Sequence, residues 1–213
     1  MNIHFEQVMP TPLSSIEHSK NSIWGATFTL EQGQKILLNA SSGKGKTTFT
    51  HTLAGIRKDY EGNLKFDSQE VAKITPEEWS GYRKDRISFV FQDLQLFPSL
   101  TVQENLNVKN DLTGAVSENE LLEMLEKLGV RDKWAVPTKL LSMGQQQRVA
   151  IVRALAQPFD WIILDEPFSH LDVANTKLSL ELIAERCNTL GAGFVLTTLG
   201  DLHGFDYDRE LTL

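Results

Sequence analysis

The segment Ala40-Ser41-Ser42-Gly43-Lys44-Gly45-Lys46-Thr47-Thr48 is where residue type and spacing most clearly imply chemistry. It follows the apolar run Lys35 to Asn39 and leads into helix-compatible sequence, the strand, loop and helix context in which such a loop cradles phosphate. Glycines 43 and 45 let successive backbone N–H groups curl around phosphate oxygens, and the helix that follows adds its positive N-terminal end. Lys46 is placed to reach the β- and γ-phosphates of ATP, and the Thr47 hydroxyl to coordinate Mg²⁺. Ser41, Ser42, Gly43, Lys44, Gly45 and Thr48 complete the expected nucleotide-binding set. Ala40 stands where the strict pattern has glycine, which is tolerable if φ there is negative.

A Gly/Ser-rich turn bearing a surface lysine is the bland alternative, and a second motif argues against it. Trp161-Ile162-Ile163-Leu164-Asp165-Glu166 reads as a buried strand that delivers two acids to the carboxyl edge of a sheet, where ligands bind in α/β folds. Asp165 is expected to hold Mg²⁺, through water, and Glu166 to polarise the attacking water as general base. A helix-opening acid pair is the duller reading. Glu166 and Lys46 are therefore the first candidate catalytic residues, with ATP and Mg²⁺ as the implied ligands.

Between these motifs, Leu141-Ser142-Met143-Gly144-Gln145-Gln146-Gln147-Arg148 resembles the Leu-Ser-Gly-Gly-Gln signature of the ATP-binding-cassette (ABC) ATPases. Phe91-Gln92 is similar to the family's Q-loop and Ser169-His170-Leu171-Asp172 to its D-loop, all in family order over nearly the whole chain. The resemblance implies two subunits paired head to tail, identical or different. Ser142, Gly144 and Gln145 of one would close over ATP held by the other, and Asp172 would bridge the two sites. Helix-opening N–H groups at Ser142 and Gly144 make such phosphate binding physically intelligible. Gln92 would sense the metal and the γ-phosphate, joining both the metal-binding and the catalytic sets. The stretch Arg86 to Leu106 resembles the branch serving lipoprotein release, macrolide export and cell division, which implies transmembrane permease subunits as partners.

Three departures from the pattern carry consequences. Leu199 occupies the place of the histidine that the family uses as a γ-phosphate switch. A hydrogen bond to a charged group is worth about 1.5 to 3 kcal/mol, so its loss in the transition state slows hydrolysis roughly 10- to 150-fold. His203 is off register and reads as an exposed loop histidine. Met143 replaces the first signature glycine, adding bulk and, at any positive φ, strain. The stretch Val8 to Leu13 lacks an adenine-stacking aromatic and offers Met9 or Leu13 instead. In a heterodimer, the Leu199 and Met143 defects would fall in different sites.

The elements that must position these residues follow from periodicity. Strand-like runs at Ser22 to Leu30, Lys35 to Asn39, Ile87 to Phe91, Trp161 to Leu164 and Gly193 to Thr198, the central ones almost continuously apolar, predict a sheet covered on both faces. They alternate with helical patterns at Lys46 to Arg57, Ser117 to Leu128, Gly144 to Gln157 and Val173 to Leu190. Together with the resemblance, this gives an α/β phosphate-loop NTPase: a RecA-like mixed-sheet core over about 1–92 and 158–213, an N-terminal antiparallel β region and a helical subdomain over about 93–157. Leu121, Leu122, Leu125 and Leu128 form a stripe suited to core packing.

Composition narrows the function classes. A net charge of -7 over 213 residues opposes general attraction to nucleic acid, and neither a long heptad insertion nor a basic track of the kind expected in chromosome ATPases is present. A single cysteine, Cys187, cannot form an internal disulfide. No secretion signal is expected at Met1 to Glu6, and no apolar run approaches the roughly 20 residues of a membrane helix. The expected location is the cytoplasmic face of the membrane, peripherally through a permease. The leading reading is a transport ATPase subunit; a low-turnover ATP-dependent clamp is its rival.

Overall fold

The computed structural model describes residues 1–39 and 43–213. Two sheets carry the chain. Strands β1 (Ile3–Pro10), β2 (Thr27–Leu30), β4 (Tyr60–Phe66) and β5 (Gln69–Glu70) form an antiparallel sheet in the order β2-β1-β4-β5. Strands β3 (Lys35–Asn39), β6 (Ile87–Val90), β7 (Trp161–Asp165), β8 (Gly193–Thr198) and β9 (Arg209–Thr212) form a wholly parallel sheet in the order β6-β7-β8-β3-β9. The mixed character expected from sequence is thus divided between two sheets.

Alternation along the parallel strands shows what covers each face. In β7, Ile162 and Leu164 enter one apolar cluster, while Trp161 and Ile163 enter another. The first is completed by helices α3 (Val102–Asn110), α4 (Glu118–Lys127), α5 (Met143–Leu155) and α6 (Val173–Leu190). The second is completed by the antiparallel sheet and α1 (Lys46–Leu53). Strands buried on both faces must be apolar throughout, which accounts for Trp161–Asp165 and Gly193–Thr198 being buried along their whole length.

Local sequence sets the helix boundaries. Ser117 and Glu120 cap α4 reciprocally, and Thr101 with Glu104 does the same for α3. The short helix α2 (Pro76–Gly81) uses Thr75 and Glu78. The expected strand Ser22 to Leu30 shortens to Thr27–Leu30, because Gly25 turns the chain at φ +76° and Ile23 donates its N–H to Thr212 O, fastening one sheet to the other. Leu121, Leu125 and Leu128 are core residues, as their spacing predicted, whereas Leu122 is only half-buried and Met124 joins the core instead. Among the described residues, no helix is long and apolar enough to cross a membrane.

Helix α1 was expected to reach Arg57 but stops at Leu53, since Gly55 adopts φ +66°. A Cβ there would lie 2.1 Å from the Trp79 ring of α2. Gly55→Ala should therefore destabilise the protein by about 2 to 4 kcal/mol, combining left-handed strain with overpacking. Urea unfolding monitored by tryptophan fluorescence measures it.

Candidate functional site

Parallel register brings the two sequence motifs to one sheet edge. Strands β3, β7 and β8 end together: Asp165 pairs with Thr197, and Asn39 pairs with Thr198. Ala40, Ser41 and Ser42 lie outside the described residues. The remainder of the loop shows why glycine is needed. Gly43 and Gly45 have φ +78° and +103°. Gly45 also caps α1, and a Cβ on it would meet Leu13 at 2.6 Å and the Trp24 indole nitrogen at 3.2 Å. Lys46, Thr47 and Thr48 form the first turn of α1, where backbone N–H groups lack intrahelical acceptors and favour an anion.

Lys46 is buried, at 6% exposure, and its Nζ lies 3.2 Å from Glu166 Oε1. Phosphate-loop cation and strand-end carboxylate therefore meet at contact distance. Glu166 itself has φ +48°, a left-handed conformation uncommon for a residue with a side chain. Its backbone N–H donates to Thr197 Oγ1 at 3.1 Å, and the Thr197 hydroxyl donates to Asp165 Oδ1 at 2.8 Å. One threonine thus orients both acids. Sequence reasoning missed Thr197; its available signal was its place at the carboxyl end of the neighbouring parallel strand.

Asp165 is buried, and among the described residues its Oδ2 has no hydrogen-bond donor. Burial first, then the charge of Glu166, raises its carboxyl above the ordinary value of 3.8, against the lowering effect of the Thr197 and Thr47 hydroxyls. A buried, unpaired carboxylate oxygen is costly unless a cation completes it. Thr47, Gln92 and Asp165 line one cavity of 770 Å³, with His51 and Phe91 on its wall. This sparse oxygen set fits Mg²⁺, which keeps water and phosphate ligands and needs only one or two protein groups. No cluster of three or more metal-binding His, Cys, Asp or Glu occurs among the described residues.

The signature segment folds as a helix N-terminus. Ser142 caps α5 by accepting from Gln145 N at 3.3 Å, and the Gln145 side chain returns to accept from Ser142 N at 2.9 Å. Gly144 packs so tightly that a Cβ would lie 2.8 Å from His170 O. The condition for strain at Met143, a positive φ, is not met: the residue begins α5 and exposes 48% of its surface. Buried Gln147, another residue sequence reasoning passed over, donates to Ser169 Oγ at 2.8 Å and accepts from His170 N at 3.0 Å. Asp172 caps α6 through Asn175 N at 2.7 Å, which lowers its carboxyl pKa.

On the β8 side, Leu199 is 61% exposed and lines a second cavity, of 230 Å³, with Glu166 and His203. The expectation of an exposed His203 is corrected. Its side chain is 15% exposed and its ring stands edge-on to Phe168 at 5.1 Å, because the loop folds back beneath the sheet edge. The apolar candidates near the loop divide: Leu13 is buried against Gly45, whereas Met9 is partly buried, with its terminal methyl beside Gly25.

A family model described as ABC transporter matches residues 23–169. The chain belongs to the ABC transporter family. Over 177 residues this cassette is 33% identical to the lipoprotein-releasing system ATP-binding protein LolD of Pseudoalteromonas translucida, covering 82% of the chain and 76% of that protein. Its fold matches the dimeric structure of MJ0796, a bacterial ABC transporter cassette, with a TM-score of 0.82 and 27% identity over 99% of this chain and 94% of that one. A dimeric post-hydrolysis state of the same cassette, bound to ADP and Pi, matches with a TM-score of 0.78 and 28% identity over 94% and 88%.

Because the folded carboxyl of Asp165 is raised, its folding contribution is present below the unfolded value and is lost as pH rises through the folded pKa. Asp165→Asn should therefore raise the metal-free urea midpoint at pH 7. The same variant should lose the Mg²⁺-dependent rise in melting temperature that nucleotide is expected to give the wild type. Metal-free urea unfolding measures the first effect, and scanning calorimetry in nucleotide with and without MgCl₂ measures the second.

Proposed function

We propose that the residues gathered at this edge bind MgATP and hydrolyse it, so that the cassette powers a membrane permease. The observation that carries this reading is the Lys46–Glu166 contact at 3.2 Å beside the unpaired Asp165 Oδ2. Lys46 would leave Glu166 for the β- and γ-phosphate oxygens, freeing the carboxylate to accept a proton from water. Thr47, Asp165 and Gln92 would hold Mg²⁺, which when bound supplies charge neutralisation between the phosphates. Thr197 keeps both acids oriented through its single hydroxyl. The presence of Lys46, Asp165 and Glu166 together favours turnover over a passive clamp.

The chain is an ABC ATPase, a family that works as dimers with transmembrane partners. In such a pair the exposed Ser142 and the Gly144 N–H, at the start of α5, would close over ATP on the partner's loop, with Asp172 adjoining the seam. Gln145 would act indirectly, by fixing Ser142. The unit 93–157, reached through Gln92, would carry the nucleotide state to a permease, which places the protein peripherally at the cytoplasmic membrane face. The likeness to LolD supports that assembly.

Glu166→Gln should reduce kcat by about 10²- to 10⁴-fold while retaining ATP binding, and ATP should drive this variant into a dimer visible by size-exclusion light scattering. Rates equal to background in both wild type and variant, with and without permease, would reject the ATPase reading. A Thr197→Val variant should lower kcat by about 10-fold or more, through misorientation of two carboxylates, as a coupled-enzyme ATPase assay would show.

A further inference from the structure

Directly beyond Gln92 the chain enters a conformation that side chains disfavour. Leu94 and Gln95 are consecutive left-handed residues, with φ +59° and +49°, and neither is glycine. Two such residues in succession persist only where their surroundings over-determine them. Gln92 lies inside the turn that leads into them, which the Leu94 N–H closes by donating to Phe91 O at 2.9 Å. Gln92 and Gln95 both line the 770 Å³ cavity that holds Thr47 and Asp165.

The turn is held at two points. The Leu94 side chain is buried in the core. Its backbone is gripped by Arg153, in the last turn of α5, whose Nη2 donates to Leu94 O at 2.7 Å and whose Nη1 donates to Gln95 O at 2.6 Å. A planar guanidinium fork presents two N–H groups to two successive carbonyls, a match that an ammonium does not offer. The end of α5 is itself fixed to β6, the strand that delivers Gln92, because the Ser88 hydroxyl donates to Ala154 O at 2.7 Å.

This grip is costly. Arg153 is half-buried, and burial pushes its pKa down to about 10. Lys109, the neighbour that feels its charge, is another cation. Core packing alone would favour an apolar side chain at such a place. We infer that Arg153 is a positioning residue for the ATPase reaction: by clamping the Leu94 and Gln95 carbonyls it holds Gln92 at the metal site. The inference rests on the ATPase reading above. Without the clamp, Leu94 and Gln95 relax toward the negative φ that side chains prefer, the turn opens, and Gln92 is carried away from Thr47 and Asp165. Arg153 thus acts through the backbone, and its whole effect on turnover passes through Gln92.

Arg153→Lys keeps the charge and removes the fork. It should lower kcat about 10-fold with KM for ATP changed by less than about threefold, and should raise the Mg²⁺ concentration needed for half-maximal rate about 10-fold. Gln92→Ala should also slow turnover, and adding Arg153→Lys to it should slow turnover no further. In the metal-free protein, the ¹⁵N side-chain amide resonance of Gln92 should differ between wild type and Arg153→Lys. Should Arg153→Lys not fold, Arg153→Gln, an uncharged residue with a single amide donor group, takes its place in each comparison. A kcat and Mg²⁺ requirement within roughly twofold of wild type, losses that add fully to those of Gln92→Ala, or an unmoved Gln92 resonance would overturn the proposal. Absence of turnover in wild type would instead refute the ATPase reading, and the Gln92 resonance would still decide the role of Arg153.

Discussion

The parallel register of β3, β7 and β8 is the constraint on which the site depends. Register sets where each strand stops, and here three strands stop at one level. A phosphate loop, two carboxylates and a threonine hydroxyl are thereby brought together although they are distant in sequence. A slip of one residue would turn Asp165 to the opposite face of the sheet and separate it from Thr197. The apolar alternation of Trp161, Ile162, Ile163 and Leu164 between two cores resists such a slip, because each side chain would enter the wrong one. Packing energy far from the edge is thus what fixes the geometry of the groups at the edge.

The edge itself carries features that cost stability. Asp165 is buried with one oxygen unpaired among the described residues, Glu166 has a left-handed backbone, and Gly43 and Gly45 adopt conformations other residues avoid. None of these serves folding. Each is explained if a polyphosphate and a divalent cation complete the site, since the cation supplies the missing partner and the open backbone lets N–H groups reach oxygen. The stable sheet beneath offsets these local costs.

Much of this was legible in the sequence. Strands at Lys35–Asn39 and Gly193–Thr198 and the helix Val173–Leu190 end where periodicity placed them, because uninterrupted apolar patterns and strong caps fix their limits. Helix α3 escaped notice despite its Thr101–Glu104 capping box, since its nine residues form only a short, weakly apolar segment. Thr197 was hidden for another reason: its role comes from pairing with Asp165 across 32 positions, and no local pattern reports a cross-strand neighbour. His203 was misread as exposed because the return of its loop under Phe168 depends on tertiary packing. Whether Met143 would be strained hung on the sign of its φ, which sequence does not report, and its place at the start of α5 leaves it unstrained.

Gln147 has a mechanical consequence. Its amide grips both Ser169 and His170, while Gly144 allows the same backbone to press against α5. The N-terminal tip of α5 and the chain leading to Asp172 are consequently bolted into a single rigid block. Any rotation that swings one toward a neighbouring molecule must swing the other by the same angle. A surface that presents one therefore presents the other in a fixed relation to it.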